Sequence, residues 1–219
     1  MDATQVAPRR IKPRLRGMSH AVGFSLTPLV AIVLCAQAPS ARALWVAATY
    51  SLSLAALLGV SAFYHCLRWP PATLLLFRRL DHAIIFVFIA GTATPFAEAL
   101  PGHARTLLLA LAWGGALVGV ARALFWPRAP RLIQVGLYVL IGWIVVPFLG
   151  DLGAALGAEN VRLILAGGLL YTVGAVIYGR RWPDPAPRVF GFHEIFHLCT
   201  LAAAALHLVV IIDIVQRLT

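Results

Sequence analysis

The composition of this 219-residue chain excludes a soluble domain, because 61% of its residues are hydrophobic and only 12% are charged, against about 25% charged residues in soluble proteins. The formal net charge of +10 does not indicate a nucleic-acid binder, since the arginines lie between apolar runs and form no basic stripe on an aqueous face. Three cysteines are too few and too scattered for a disulfide framework or a CxxC metal site.

Seven apolar runs are long enough to cross a bilayer, which takes about 17–25 helical residues. In chain order they lie at 18–36, 43–66, 81–100, 103–125, 132–150, 161–178 and 191–214. The connections are short and rich in proline and glycine, as turns are. The sequence therefore predicts an all-α membrane protein, a seven-transmembrane helix bundle that forms a single domain over 18–219.

Residues 1–17 are predicted to be a basic cytoplasmic tail and not a cleaved signal peptide, because six further spans follow and no small-residue cleavage site is evident. The positive-inside rule sets the orientation. Fourteen Lys and Arg side chains fall on the N-terminal side of the membrane, against four on the other: Arg42, Arg105, Arg162 and Arg217. With seven spans, this bias places the N-terminus in the cytoplasm and the C-terminus outside.

The predicted topology brings four ionisable side chains to one membrane depth. The second span ends on the cytoplasmic side at His65, and the third span begins there with Asp81. The seventh span begins on the same side with His193 and His197. Ionisable groups inside a bilayer are costly and mark functional sites by default, so these four form a candidate site.

The spacing of these residues favours a metal ion. Residues four apart project from one face of a helix, as His193 and His197 do, and as Ser61 and His65 do. Three imidazoles plus water make the open tetrahedral site of catalytic zinc. We therefore expect zinc on His65, His193 and His197, with Asp81 as base or orienter of the water and Ser61 steadying that water or a substrate oxygen.

Other polar positions are assigned structural roles. Three histidines are expected to be interfacial or hydrogen-bonded side chains without a ligand: His20, His82 and His103. His207, about 15 Å deeper than His197, is expected to make an interhelical hydrogen bond. Two carboxylates near the outer interface are expected to be solvated: Glu98 and Asp213. Two glycine pairs are expected to permit close helix packing: Gly114-Gly115 and Gly167-Gly168.

Four stretches carry a resemblance to a known family, in the order 61–65 (SAFYH), 79–86 (RLDHAIIF), 89–96 (IAGTATPF) and 193–197 (HEIFH). Together they are similar to the successive signatures of the hemolysin III family. This family is the bacterial branch of the progestin and adiponectin receptor group and is distantly similar to alkaline ceramidases. The resemblance covers nearly the whole chain, from Ser19-His20 to the seventh span.

The resemblance implies seven spans with an inner N-terminus, in the inner (plasma) membrane of a bacterium. The adiponectin receptors hold zinc near the cytoplasmic face through three histidines, which fall here on His65, His193 and His197. Asp81 stands at the acidic position that contacts the zinc-bound water, and Ser61 at the serine of the S-x-x-x-H motif.

The stretch 193–197 also reads H-E-x-x-H, the pattern of zinc metalloproteases, in which the glutamate is the general base. An intramembrane metalloprotease needs a third ligand, commonly an aspartate in a later Asp-Gly motif, and this sequence contains no Asp-Gly. Relatives carry glutamine at the position of Glu194, so proteolysis is disfavoured. We expect Glu194 to face the inner headgroups or an arginine such as Arg188.

Two functions of different classes stay open at the level of sequence. The first is a zinc-dependent hydrolase of lipid amide or ester bonds, whose substrate enters sideways from the bilayer. The second is non-enzymatic: a membrane sensor, a pore or a regulator of membrane energetics in which zinc is a structural clip. Either function makes membrane lipids the expected partners, with no nucleic acid.

Overall fold

The structure is a computed structural model that describes residues 12–219, and this part of the chain is helical. Arg9 and Arg10, assigned to the basic tail, lie outside the described residues. Seven segments follow one another: α1 (Met18–Ala36), α2 (Ala41–Cys66), α3 (Pro71–Glu98), α4 (Gly102–Phe125), a composite of α5 (Arg131–Gly142), a 3₁₀ turn (Trp143–Phe148) and α6 (Leu149–Leu156), α7 (Ala158–Arg180) and α8 (Phe192–Arg217).

Within residues 12–219, six of these segments are long and apolar enough to cross a membrane. The exception is α3, whose first half carries Arg78, Arg79 and Asp81 and whose last residue is Glu98. Large apolar side chains on the outside of the bundle, such as Leu52 and Leu117, are 71% exposed. Such a surface is matched by lipid and not by water, which confirms the expectation of an all-α, multi-pass membrane protein.

Helix α3 begins at Pro71, ten residues before Asp81, at which the third span was predicted to begin. Proline is well tolerated in the first helical turn, where its missing N–H has no partner to lose. The preceding Pro70 accepts the first helical hydrogen bond, from the Leu74 N–H at 2.8 Å. The other predicted bounds fall within about six residues of the observed helices. Asp81 therefore lies three turns inside α3.

Helices α2 and α3 are antiparallel, as contacts at both ends show. At one end, Arg42 near the start of α2 donates from Nε to Glu98 Oε2 at the end of α3, at 2.6 Å. At the other end, His65 in the last turn of α2 lies 3.8 Å from the Asp81 carboxylate, measured from Nε2 to Oδ2. The four-residue connection, which ends in Pro70, permits this hairpin.

Helices α1 and α8 lie side by side and point the same way. Arg16, just before α1, pairs with Glu194 in the first turn of α8. One turn further along both helices, the rings of His20 and His197 stack. This parallel contact places the start of α1 at the same end of the bundle as the start of α8.

Glycines allow two of the closest helix contacts. A Cβ on Gly119 of α4 would overlap the Phe86 ring of α3, and a Cβ on Gly167 of α7 would overlap the His207 ring of α8. The prediction for the pair Gly167-Gly168 thus holds at its first member. For the pair Gly114-Gly115 it holds at the second member, where a Cβ would lie 3.1 Å from the Ile141 side chain of α5, while Gly114 has no described atom within 4 Å of such a Cβ. Periodicity does not tell which glycine of a pair faces the neighbouring helix.

Candidate metal centre

Three histidines meet where the end of α2 packs on the start of α8. His65, His193 and His197 each offer a ring nitrogen, and these atoms lie within 4.8 Å of one another. All three side chains are buried, with exposed fractions of 7%, 9% and 2%. The Nε2 atoms of His65 and His193 are 3.2 Å apart. Residues 128 positions apart in the chain are therefore held as one cluster.

Local structure fixes the direction of the two α8 histidines. The N–H of Gly191 donates to Glu194 Oε2 at 2.8 Å, which satisfies an amide group at the helix start. Helix α8 therefore begins at Phe192, so that His193 lies in its first turn and His197 one turn later on the same face.

The cluster fits a metal ion by donor chemistry and by distance. Two imidazole nitrogens bound to one tetrahedral ion at about 2.0–2.1 Å would lie about 3.3 Å apart, and the His65–His193 pair is at 3.2 Å. Buried histidines are normally hydrogen-bonded to protein or water. Among the described residues, His197 Nδ1 is buried without a hydrogen-bond partner. The three side chains could hold a metal ion.

Asp81 and Ser61 lie beside the histidines, where the sequence predicted them. The Asp81 carboxylate is 9% exposed and lies 3.8 Å from His65 Nε2. Ser61 is one turn before His65 on α2, is 2% exposed and has its hydroxyl next to the Asp81 carboxyl group. A base and a hydroxyl thus border the cluster on one side.

His20 borders this site: it is buried and hydrogen-bonded, the second of the two roles expected for it, and not interfacial. Its ring stacks on that of His197, with centroids 3.7 Å apart and an angle of 2° between the ring planes. Its Nδ1 is 2.9 Å from Ser61 Oγ, and the residue is 3% exposed. Helical spacing indicates no partner for this histidine, because its neighbours lie on other helices.

Glu194 does not face the headgroups, and its arginine is not Arg188. The carboxylate is buried, with 3% of the residue exposed, and it pairs with Arg16. It also accepts the Gly191 N–H. The carboxylate is therefore engaged in the helix start and in an ion pair.

Residues 12–17 form a segment that crosses the histidine end of the bundle. The N–H groups of Arg14 and Leu15 donate to the carbonyls of Arg188 and Val189, at 3.0 and 3.1 Å. At Gly17, the backbone is so close to His65 that a Cβ would overlap the His65 side chain. This segment covers the histidine cluster at the end of the bundle.

A cavity leads from the histidines deep into the bundle. One end is lined by His20, Ser61, Asp81, His193 and His197, and the far end by His207 and Ile164. The space between its walls is about 1360 Å³ when the open mouth is included. Most of the lining side chains between the two ends are apolar or aromatic. The polar cluster thus lies at one end of a long apolar chamber.

His207 makes the predicted interhelical hydrogen bond, because its Nε2 lies 3.0 Å from the Ile164 carbonyl of α7. His103 is exposed at the start of α4, as expected. His82 is half-buried and also lines the cavity.

The expectation of a solvated Glu98 was wrong. Glu98 is 8% exposed and accepts from Arg42 Nε at 2.6 Å, with Arg105 Nη1 at 3.6 Å. Asp213 is partly exposed and is bound by Asn160 and Arg217 at 2.7 and 2.9 Å. A carboxylate near a helix end is therefore buried where arginines of neighbouring segments reach it.

Sequence comparisons connect the site to known proteins. The Haemolysin-III related family matches residues 9–208, which includes every residue of the site. "Hemolysin-3" of Bacillus cereus is 32% identical over 193 residues, covering 86% of this chain and 85% of that protein. "Hemolysin-3 homolog" of Bacillus subtilis (strain 168) is 32% identical over 127 residues, covering 58% and 57%. "ADIPOR-like receptor IZH2" of Saccharomyces cerevisiae is 28% identical over 177 residues, covering 73% of this chain and 56% of the yeast protein.

Proposed function

This chain belongs to the Haemolysin-III related family, and from that premise we propose that it is a zinc-dependent hydrolase of amide or ester bonds in membrane lipids. One observation carries the proposal. Three buried imidazoles, a buried carboxylate and a buried hydroxyl converge at one end of a long apolar cavity inside a membrane bundle. That combination brings hydrolytic groups and space for an acyl chain into one place.

We also propose seven spans, with the N-terminus in the cytoplasm, the C-terminus outside and the protein in the inner membrane of a bacterium. The antiparallel contact of α2 with α3 and the parallel contact of α1 with α8 support an odd number of alternating spans, with α3 among them. At the opposite end of the bundle, Ser40 before α2 donates to the carbonyl of Leu218 after α8, at 2.7 Å. The excess of arginine on the histidine side supports its cytoplasmic location.

His65, His193 and His197 would hold the zinc ion, because they are the three neutral-imidazole donors that converge. When bound, zinc would supply Lewis-acid polarisation and a nucleophilic water at neutral pH. The Asp81 carboxylate lies close enough to take the proton of an attacking water and to return it to the leaving amine or alcohol. The Ser61 hydroxyl orients that carboxylate or donates to the carbonyl oxygen of the substrate.

The route of the substrate follows from what surrounds the site. Residues 12–17 and the start of α8 cover the histidines from the end of the bundle. The cavity between the helices is apolar over most of its length. A lipid therefore enters sideways from the bilayer, with its acyl chain toward His207 and its amide or ester at the histidines.

The second candidate is a sensor, a pore or a regulator of membrane energetics with structural zinc. The observation in its favour is that the three histidines join only α2 and α8, so that a metal ion there would also clip two helices together. Against a pore, the far half of the cavity is mostly apolar, and its ionisable lining side chains among the described residues are those of His207 and Tyr171. Hydrolysis explains Asp81 and Ser61, which a structural clip does not need.

The test is to purify the protein in detergent, measure bound metal, and offer a panel of ceramides, lysolipids and phospholipids. We expect about one zinc ion per chain, and metal-dependent release of a fatty acid from one of these classes. A double variant, His193→Ala with His197→Ala, should lose the metal, whereas His103→Ala, which alters an exposed histidine, should keep it.

Asp81→Ala should retain the metal and lose turnover. Stoichiometric metal in the double variant would refute the ligand set. A wild-type protein that binds zinc but hydrolyses nothing in the panel, and an Asp81→Ala variant that is unimpaired, would both favour the structural clip.

A further inference from the structure

We propose that His20 is a positioning residue of the metal centre: its ring holds the His197 imidazole in the ligand orientation, and its Nδ1 holds the Ser61 hydroxyl. This inference rests on the proposed metal binding by His65, His193 and His197. It assigns a role in the site to α1, which contributes none of those three ligands.

The first support is the stacking geometry. The rings of His20 and His197 are parallel within 2° and 3.7 Å apart, which is direct van der Waals contact over a whole face. His20 is 3% exposed and His197 is 2% exposed. Because both rings are enclosed, rotation of the His197 ring out of its plane would collide with His20.

The second support is the absence of the usual restraint. A metal-bound histidine normally donates its other ring N–H to a carboxylate, a carbonyl or water, and that hydrogen bond fixes the ring. Within the described part of the chain, no protein group makes a hydrogen bond to the buried His197 Nδ1. Whichever nitrogen binds the metal, the flat face of His20 packs against the ring and orients it.

The third support is the hydrogen bond to Ser61. His20 Nδ1 lies 2.9 Å from Ser61 Oγ, and the same hydroxyl adjoins the Asp81 carboxyl group. If Nδ1–H donates to Ser61 Oγ, the hydroxyl proton is free to donate to the Asp81 carboxylate. A single side chain on α1 thereby restrains one ligand on α8 and one polar group on α2.

The two roles can be separated by substitution. His20→Phe keeps a flat ring of similar size but cannot bond Ser61, whereas His20→Ala removes both the ring and the bond. The readouts are zinc affinity, from competition with a chelator, and the visible spectrum of the Co²⁺-substituted protein, which reports ligand geometry. His103→Ala is the matched control. Thermal unfolding of the metal-free protein in detergent shows whether each variant is folded.

We expect His20→Ala to weaken zinc binding by about 10- to 100-fold, the usual effect of losing a group that orients a metal ligand, and to alter the Co²⁺ spectrum. His20→Phe should keep affinity and spectrum close to those of the wild type while slowing hydrolysis. The His103→Ala control should match the wild type in every measurement.

Different failures have different meanings. If the wild-type protein binds metal and the His193→Ala, His197→Ala variant does not, but His20→Ala binds as tightly as wild type, the positioning role is refuted and the proposed function stands. Equal losses of affinity in folded His20→Phe and His20→Ala would refute stacking as the cause. A wild-type protein that binds no metal would overturn the proposed function and this inference together.

Discussion

Two buried polar clusters lie at opposite ends of the α2–α3 pair, and they differ in how well their charges are paired. At the arginine end (Arg42, Glu98 and Arg105), the buried carboxylate accepts from Arg42 at 2.6 Å and has Arg105 at 3.6 Å. At the histidine end (His20, Ser61, His65, Asp81, His193 and His197), the carboxylate lies 3.8 Å from an imidazole. Among residues 12–219, His20 Nε2 and His197 Nδ1 there are buried without partners.

The difference separates groups that stabilise from groups that bind. A buried carboxylate with two guanidinium partners is satisfied within the fold. Buried polar atoms left without partners lower stability, and native proteins tolerate few of them. Such a cluster is retained where a ligand completes it. We therefore expect substitutions at the histidine end to affect metal and turnover, and substitutions at the arginine end to affect stability.

The largest expected effect comes from Asp81→Asn at the histidine end. The amide cannot accept the proton of an attacking water, so turnover should fall by about 10²- to 10⁴-fold. The metal-free variant should unfold at the same temperature as wild type or a higher one, because an amide loses less on burial than a carboxylate does. Rates on the hydrolysed lipid and thermal unfolding in detergent measure the two effects. A large drop in unfolding temperature would show that Asp81 is a stabilising group and that the two ends do not differ in this respect.

The next effect is a loss of stability from Glu98→Gln at the arginine end. Hydrogen bonds to charged groups contribute about 1.5–3 kcal/mol, and the neutral amide loses much of that with Arg42 and Arg105. Metal content should not change. The matched control is Glu159→Gln, which breaks the exposed pair with Arg162 and should hardly matter. Equal unfolding temperatures for the two variants would show that the Glu98 cluster does not stabilise the fold.

The same contrast explains how much the sequence could predict. The three histidines and Asp81 were predicted to converge because helix periodicity and alternating spans place them at one depth, and the structure brings them together. His20 was missed because its partners, His197 and Ser61, are 177 and 41 positions away, on helices whose rotation a single sequence does not give. The buried state of Glu98 was missed for the same reason.

The helix bounds also divide into those that the sequence predicts and those that it does not. The start of α1 and the end of α4 were predicted correctly, because the apolar run of α1 begins directly after Gly17 and that of α4 is followed by the turn residues Trp126-Pro127. Helix α3 starts ten residues before the predicted third span. Arg78 and Arg79 interrupt the apolar run, although the helix already begins at Pro71. Hydropathy indicates which residues suit lipid, so the part of a helix that extends beyond the lipid is not visible in the hydropathy of the sequence.

A smaller loss of stability is expected from a change in helix packing between the arginine end and the histidine end of the bundle. Gly119→Ala would push a methyl group into Phe86, five residues after Asp81 on α3, and such overpacking costs about 1–3 kcal/mol. The control on the same helix is Gly114→Ala, where a Cβ meets open space within the described chain. The control should be neutral or slightly stabilising. The measurement is the thermal unfolding temperature of both variants. Equal unfolding temperatures would mean that α3 and α4 accommodate the added methyl group without loss of stability.

The smallest effect on turnover is expected from Glu194, which lies at the histidine end but is paired like Glu98. It pairs with Arg16 and accepts the Gly191 N–H, so the comparison assigns it to stability. Glu194→Gln keeps a helix-capping acceptor and loses the charge of a buried ion pair, which should lower the stability by about 1.5–3 kcal/mol, as at Glu98. Hydrolysis should continue at nearly the wild-type rate, because Asp81 is the proposed base. If Glu194→Gln instead abolished turnover while metal remained bound, the H-E-x-x-H glutamate would be the base, and Asp81 would lose the role that its place beside His65 supports.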